Sequence, residues 1–141
     1  MEDSVNETLE FVLFTTRRIK RKNVPKAILA MLMEMRLPEQ FDGFEYLREA
    51  IFLKYNNPKM RFGSIYAEIA RQCDDGANAG QVDKAIHAVI EAGWNARNEE
   101  VWGYFFENVE TCPSNGKFIA RMARVMELWD DCKKEVCYAR K

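Results

Sequence analysis

The stretch that decides the fold runs from Ser64 to Asn95 and reads SIYAEIARQCDDGANAGQVDKAIHAVIEAGWN. Its second half carries the most regular pattern in the chain. Val82, Ala85, Ile86, Val89, Ile90, Gly93 and Trp94 recur at the three- and four-residue steps of one helical face. In the first half Ser64 stands as a candidate cap. Ile65, Ile69 and Cys73 then repeat at the helical step, with Tyr66 and Ala70 beside them. Between the two, Asp74 to Gly80 is a turn by composition. Two short helices joined by a glycine-containing turn, the second strongly amphipathic, fit a helix-turn-helix.

Such a motif presents the N-terminal, outward face of its second helix to the major groove. With Val82 as the inward direction, Lys84, Ala88, Glu91 and Asn95 point away, and Gln81 and His87 flank them. Gln81 suits the adenine N6/N7 edge and Lys84 the guanine O6/N7 edge. His87 can donate to a base or a phosphate, and Arg71 and Arg97 are candidates for phosphate. The same pattern also describes any helical bundle with a polar outer face. Over residues 61–97, Arg61, Arg71, Lys84 and Arg97 face Glu68, Asp74, Asp75, Asp83 and Glu91, so the motif alone is poor in the charge that holds DNA.

Working outward, helices are predicted on both sides. Asn23 caps a segment with Pro25 in its first turn and Ile28, Leu32 and Met35 on one face, ended by Pro38. Phe44, Leu47, Ile51 and Tyr55 form the stripe of the next, and Asn56-Asn57-Pro58 stops it. Asn98 caps a short aromatic helix through Trp102, Tyr104 and Phe105. With Phe106 these aromatics read as core, an exposed partner surface being the alternative. Ser114 starts the last helix, whose stripe is Phe118, Met122, Val125 and Trp129, with a continuation through Cys132 and Val136. At the other end Ser4 and Glu7 have capping-box spacing and Leu9, Val12 and Leu13 share a face. Phe11 to Thr16 is rich in strand formers, which competes with that helix. The expected fold is an all-α bundle of about six helices containing a helix-turn-helix. A short N-terminal extension over residues 1–22 precedes the helix-turn-helix unit, residues 23–141.

Composition narrows the function. The 141 residues suit one domain. Hydrophobic residues at 48% with 30% charged argue for a globular protein. Ala27 to Met33, the longest apolar run, is too short to span a bilayer. Met1-Glu2-Asp3 has the wrong charge for a secretory leader, so a cytoplasmic location is expected. Cys73, Cys112, Cys132 and Cys137 show no CxxC spacing, and His87 is the sole histidine, so reduced thiols and no metal or other cofactor are expected. Neither a nucleophile elbow nor a phosphate-cradling glycine motif is present, and no enzymatic activity is expected. The net charge of −1 hides a strong asymmetry. Residues 1–16 hold four acids and no base, whereas Arg17, Arg18, Lys20, Arg21 and Lys22 follow as a basic block. That block is a candidate arm for tracking phosphates, or a solvated face.

A resemblance sharpens the reading. Gly43-Phe44-Glu45-Tyr46-Leu47-Arg48-Glu49-Ala50-Ile51 resembles the G-x-x-YLREAI segment of the C-terminal effector domain of the sporulation master response regulator (the stage zero sporulation protein A family). Ile69-Ala70, Val82-x-x-Ala85-Ile86, Ile90-Glu91-x-x-Trp94, Gly103-Tyr104 and Pro113-Ser114-Asn115-x-x-Phe118-Ile119-Ala120 continue it in order. The resemblance implies a six-helix domain with the helix-turn-helix at its third and fourth helices. It implies a transcription factor that binds a short promoter box, often as tandem domains, and that can contact RNA polymerase sigma factor. Its recognition helix would be Gln81 to Trp94. Gln81 and Lys84 stand where the family has arginines, His87 is at another basic position, and Ala88 replaces a histidine. The turn is longer and acidic, and Lys117 replaces a glutamate. No receiver domain is found within residues 1–22, so control by phosphorylation of a receiver is not expected.

The sequence therefore predicts a regulator that binds double-stranded promoter DNA, with sigma factor and a second copy as further partners and no membrane. Gln81, Lys84 and His87 would read bases; Arg71, Arg97 and the basic block would meet phosphates. The alternative is a protein-interaction module that binds a sporulation regulator, sigma factor or itself without reading DNA.

Overall fold

The structure, a computed structural model, describes the backbone of residues 2–20, 23–73, 76–107 and 110–139, and the side chains of residues 7–20, 23–73, 76–107 and 110–131. Among the described residues the chain is all-helical: α1 (Glu2–Thr15), α2 (Val24–Glu34), α3 (Asp42–Asn56), α4 (Phe62–Gln72), α5 (Ala79–Asn95), α6 (Glu99–Phe105) and α7 (Asn115–Ala139). The expected bundle is thus present as α2–α7, with α4 and α5 as its helix-turn-helix, and α1 is added to it. The two central helices are α3, which packs against α2, α4, α5 and α7, and α7, which also meets α1, α2 and α5. Phe44, Leu47 and Ile51 of α3 and Phe118, Met122, Val125 and Trp129 of α7 are all buried, as their spacing predicts.

Several boundaries move for physical reasons. Asn23 caps α2 as expected, accepting from Lys26 N–H at 3.3 Å. The helix ends before Pro38, where Arg36 takes a left-handed conformation at φ 61°. Leu37 N–H then donates to the Leu32 carbonyl and Arg36 N–H to that of Met33, a Schellman cap whose apolar member is buried Leu37. Ser64 is not the cap of α4. The helix starts at Phe62, with Arg61 in the cap position and no side-chain cap. Packing sets this start, because the Phe62 ring lies between the Lys54 ammonium, 4.7 Å from its centroid, and Gly116 of α7. Ser4 likewise lies inside α1, which begins at Glu2.

The inward face of α1 also differs from the apolar one expected. Thr8, Val12 and Thr16 are buried, whereas Leu9 and Leu13 are half-buried. Threonine is tolerated there because each hydroxyl has a partner. Thr8 Oγ1 donates to the Tyr104 carbonyl, and Thr16 Oγ1 donates to the Val12 carbonyl at 2.6 Å while accepting from Trp129 Nε1 at 2.7 Å. Phe11 stacks on Tyr104 with ring centroids 4.6 Å apart. Of the aromatics around α6, Trp102 and Phe105 are core, as the first of the two readings had it, while Tyr104 and Phe106 are half-buried against it. Trp102 and Phe105 are buried, and Trp102 Nε1 donates to the Met35 carbonyl at 3.0 Å. The extension expected over residues 1–22 is therefore helical and docked on α6 and α7 as far as Thr16.

Candidate nucleic-acid interface

The recognition-type helix α5 is seated from behind by α3. Gly43, the first residue of the motif quoted above, meets the backbone of Ala85 so closely that a Cβ there would lie 2.1 Å from the Ala85 carbonyl oxygen. Val82, Ile86, Val89 and Ile90 point inward and are buried, as their spacing predicts. Trp94 departs from that stripe and is half-buried. It lies at the last turn, where the bundle surface falls away. Trp102 meets its ring edge-on at 5.7 Å, and the Arg97 guanidinium covers it at 3.7 Å.

The helix starts two residues earlier than its pattern suggests. Asn78 is the cap: its Oδ1 accepts from Gln81 N–H and its own N–H donates to Gln81 Oε1, both at 2.9 Å. This reciprocal capping box satisfies two helix-end groups and fixes the angle at which α5 leaves the turn. Gln81 thereby commits its carbonyl oxygen to the cap. Bidentate pairing with adenine needs that oxygen as acceptor and the amide as donor. In this conformation Gln81 offers the amide donor alone.

The other residues named from sequence divide by their partners. Lys84 is exposed, one turn after Gln81, and makes no ion pair or hydrogen bond among the described residues. His87, one turn further, is exposed with Nε2 3.1 Å from Glu91 Oε2. Arg71 is exposed and gripped by Glu68, with Nε and Nη2 donating to the two carboxylate oxygens at 3.0 and 2.5 Å. Those bonds, helped by Gln72, hold the Glu68 carboxyl down to about 2. Arg97 is held at the C-terminal end of α5, donating to the Trp94 carbonyl at 2.9 Å with Glu99 at 3.5 Å. Arg17 donates to the Phe14 carbonyl at 2.9 Å, and Arg18 and Lys20 are exposed. Arg21 and Lys22 lie outside the described residues, as do Asp74 and Asp75 of the acidic turn.

Position separates these groups as firmly as pairing does. Asn115, the first residue of α7, touches Asp83 of α5, whereas Trp129 of α7 touches Thr16 beside the basic block. At 1.5 Å per residue, about 20 Å of α7 lies between the two contacts. Thr16, just before the basic block, and Asp83 of α5 are therefore held at points of α7 about four turns apart.

Sequence reasoning missed the contact that fixes the outer side of α5. Asn115 Nδ2 donates to the Asp83 carbonyl at 2.8 Å and to its carboxylate at 2.6 Å. An open groove of about 750 Å³ runs along this side, bounded by Phe62 and Tyr66 of α4, Asp83, Lys84 and His87 of α5, and Asn115. Tyr66 is buried at its edge. Burial and then the Asp83 charge raise its phenol above the ordinary value, while a hydrogen bond with Asn115 acts the other way. No local pattern could reveal a pairing across thirty-two residues of chain. The cysteines take no part: Cys73 and Cys112 are free and half-buried, and burial pushes the Cys112 thiol up. The side chains of Cys132, Val136 and Cys137 lie outside the described residues, although α7 continues past them as expected. No helix among the described residues is long and apolar enough to cross a membrane.

The chain matches a known family. The model of the family described as sporulation initiation factor Spo0A C terminal covers residues 28–126, more than two thirds of the chain. The match takes in α3 to α6, most of α2 and the first half of α7. It leaves out α1, the basic block and the end of α7.

Proposed function

The chain belongs to the Spo0A C-terminal family of DNA-binding effector domains, and from that premise we propose that it is a sequence-specific regulator of transcription that reads the major groove with α5. The observation that carries this reading is the N-terminal face of α5. Its first turn is closed by a capping box, Lys84 is exposed and unpaired among the described residues, and Gly43 and Asn115 hold the helix from two sides. Lys84 is the base reader of this proposal, matched to guanine O6/N7. Gln81 positions the turn and adds one donor, and His87 serves a base or phosphate once it leaves Glu91. Arg71 reaches a phosphate by exchanging Glu68 for it. Arg97 at the far end of α5 and Arg17, Arg18 and Lys20 beyond α1 contribute long-range attraction in this reading, as does the charge of Arg21 and Lys22. The working location of such a regulator is the cytoplasm, and sigma factor is a further partner of this proposal.

Selection of bound sequences from random duplex DNA at stated salt tests the reading. Recovery of a common box, with Lys84→Ala losing roughly 1–3 kcal/mol on that box and little on other sequences, supports it. Failure to enrich any box favours the second reading, a module that binds a sporulation regulator or sigma factor without reading DNA. One observation speaks for that reading: Asp83 and Glu91 place two carboxylates on the groove beside Lys84 and His87.

A further inference from the structure

The family match does not include α1, whose outward face carries a graded charge pattern. Its inward face is Thr8, Val12 and Thr16. Half a turn of the helix away, Glu7, Glu10, Phe11, Phe14, Arg17 and Arg18 follow one another at three- and four-residue steps. Past Thr15 the chain keeps turning in the same sense, with Thr16 N–H donating to the Val12 carbonyl at 2.9 Å and Arg17 N–H to that of Phe14 at 3.4 Å, so Arg17 and Arg18 form a turn that follows the helix. This one stripe is acidic at its start, aromatic in the middle and basic at its end. Phe14, at its centre, is 67% exposed, the most exposed of the large hydrophobic side chains described. Glu7, Glu10, Phe11, Phe14 and Tyr104 together line a shallow groove. The side chains of Glu7, Glu10, Arg18 and Lys20 make no ion pair or hydrogen bond among the described residues.

We propose that this stripe is a self-association surface, on which α1 of a second copy lies antiparallel. A charge pattern that reverses along a helix is self-complementary under a two-fold axis. The register that sets Phe14 of one copy against Phe11 of the other also sets Glu7 against Arg18, and symmetry repeats both contacts. Each Phe14 then leaves water for the groove floored by Phe11 and Tyr104, and each acidic end meets a basic one. No other occupant satisfies both halves of the stripe: a nucleic acid is repelled by Glu7 and Glu10, and an acidic peptide leaves them unpaired. The stripe spans about 16 Å of helix, so the contact is smaller than a standard interface, and the affinity is expected in the tens of micromolar with strong salt dependence. The inference stands apart from the DNA reading, since no residue of α5 enters it.

Sedimentation of the full chain at about 50 and 500 mM salt, over roughly 5–300 μM protein, tests it. The expected mass rises from 16.5 kDa toward the dimer at low salt and stays monomeric at high salt. Glu7→Lys with Glu10→Lys, and separately Arg17→Glu with Arg18→Glu, should each weaken association by about tenfold or more; mixed in equal amounts, the two variants should associate again, because opposite ends now meet. Phe14→Ala should weaken it comparably in the unchanged chain. All these positions are exposed or half-exposed, and Glu7→Gln with Glu10→Gln provides a milder pair should the reversals unfold. A wild-type chain that stays monomeric at low salt throughout this range, or a mixture that remains monomeric while both variants are folded, overturns the proposal. So does a loss of duplex binding on Arg17→Glu with Arg18→Glu without any change in mass, which would hand the basic turn to phosphates.

Discussion

Asn115 holds Asp83 by two hydrogen bonds from a single amide nitrogen, 2.8 Å to the backbone carbonyl and 2.6 Å to the carboxylate. The contact joins the first residue of α7 to the second turn of α5. It therefore ties one of the two central helices of the bundle to the one that faces the proposed ligand. Asn115→Ala leaves the Asp83 groups without this donor and should cost roughly 1–3 kcal/mol of stability. If α5 reads bases, affinity for a selected box should fall more than affinity for unrelated duplex. Denaturant unfolding and paired titrations measure the two effects; an equal fall on both sequences would make Asn115 a stability residue only.

Gly43→Ala is expected to be the most damaging single methyl in the fold. The added Cβ would run into the Ala85 carbonyl and lie 2.9 Å from a Val89 methyl, so α3 and α5 must part. Overpacking of side chains costs about 1–3 kcal/mol, and a clash with backbone belongs at or above the top of that range. Thermal unfolding checks it. A change in Tm too small to detect would mean that the helices slide apart freely.

Arg36→Gly should stabilise the chain by about 0.5–1 kcal/mol. The position needs a left-handed backbone at φ 61°, which costs an L-residue roughly 1–2 kcal/mol, while glycine returns part of the gain through its freer unfolded chain. Arg36 is exposed and makes no bond that the change would lose. Urea midpoints of the two proteins decide the sign.

Gln81 separates capping from recognition. Gln81→Ala should lose about 0.5–1 kcal/mol of stability with or without DNA, because half of the capping box goes. Gln81→Glu keeps a cap oxygen and adds a negative charge that the N-terminus of α5 favours. It should therefore unfold like the parent yet bind duplex DNA less well, through repulsion at the phosphates. Equal DNA affinity for parent and Gln81→Glu would take the first turn of α5 out of the interface.

The Arg71–Glu68 pair predicts a titration. Arg71 and Gln72 hold the Glu68 carboxyl at about 2, below the ordinary 4.5. A carboxylate depressed in the folded state adds stability above its unfolded value and loses it as pH falls through 4.5 toward 2. The pair is exposed, so the effect on stability is small. Arg71→Ala should raise the Glu68 value toward 4.5, seen by NMR of the side-chain carboxyl. Binding of duplex DNA should raise it too if Arg71 leaves Glu68 for a phosphate; a Glu68 value unmoved by DNA would keep Arg71 out of the contact.

The sequence by itself determined the helices, their core faces and the helix-turn-helix. The spacing of Val82, Ile86, Val89 and Ile90 or of Phe118, Met122, Val125 and Trp129 is local information, and burial follows from it wherever an apolar stripe can meet another. Local chemistry also announced Asn23 and Asn98 as caps, since a cap acts within three residues. What only the tertiary structure decided depends on partners distant in the chain. Phe62 starts α4 because Gly116 lies beneath it, not because a cap stands before it. Thr8 and Thr16 face inward because Tyr104 and Trp129 supply their hydrogen bonds. Lys84 differs from Arg71 and Arg97 in being unpaired, which their shared charge does not disclose. Thr16, next to the basic block, is held by Trp129 about four turns of α7 away from the Asn115–Asp83 contact that holds α5. Such pairings join residues tens of positions apart, and only the packed chain brings their atoms within hydrogen-bonding reach.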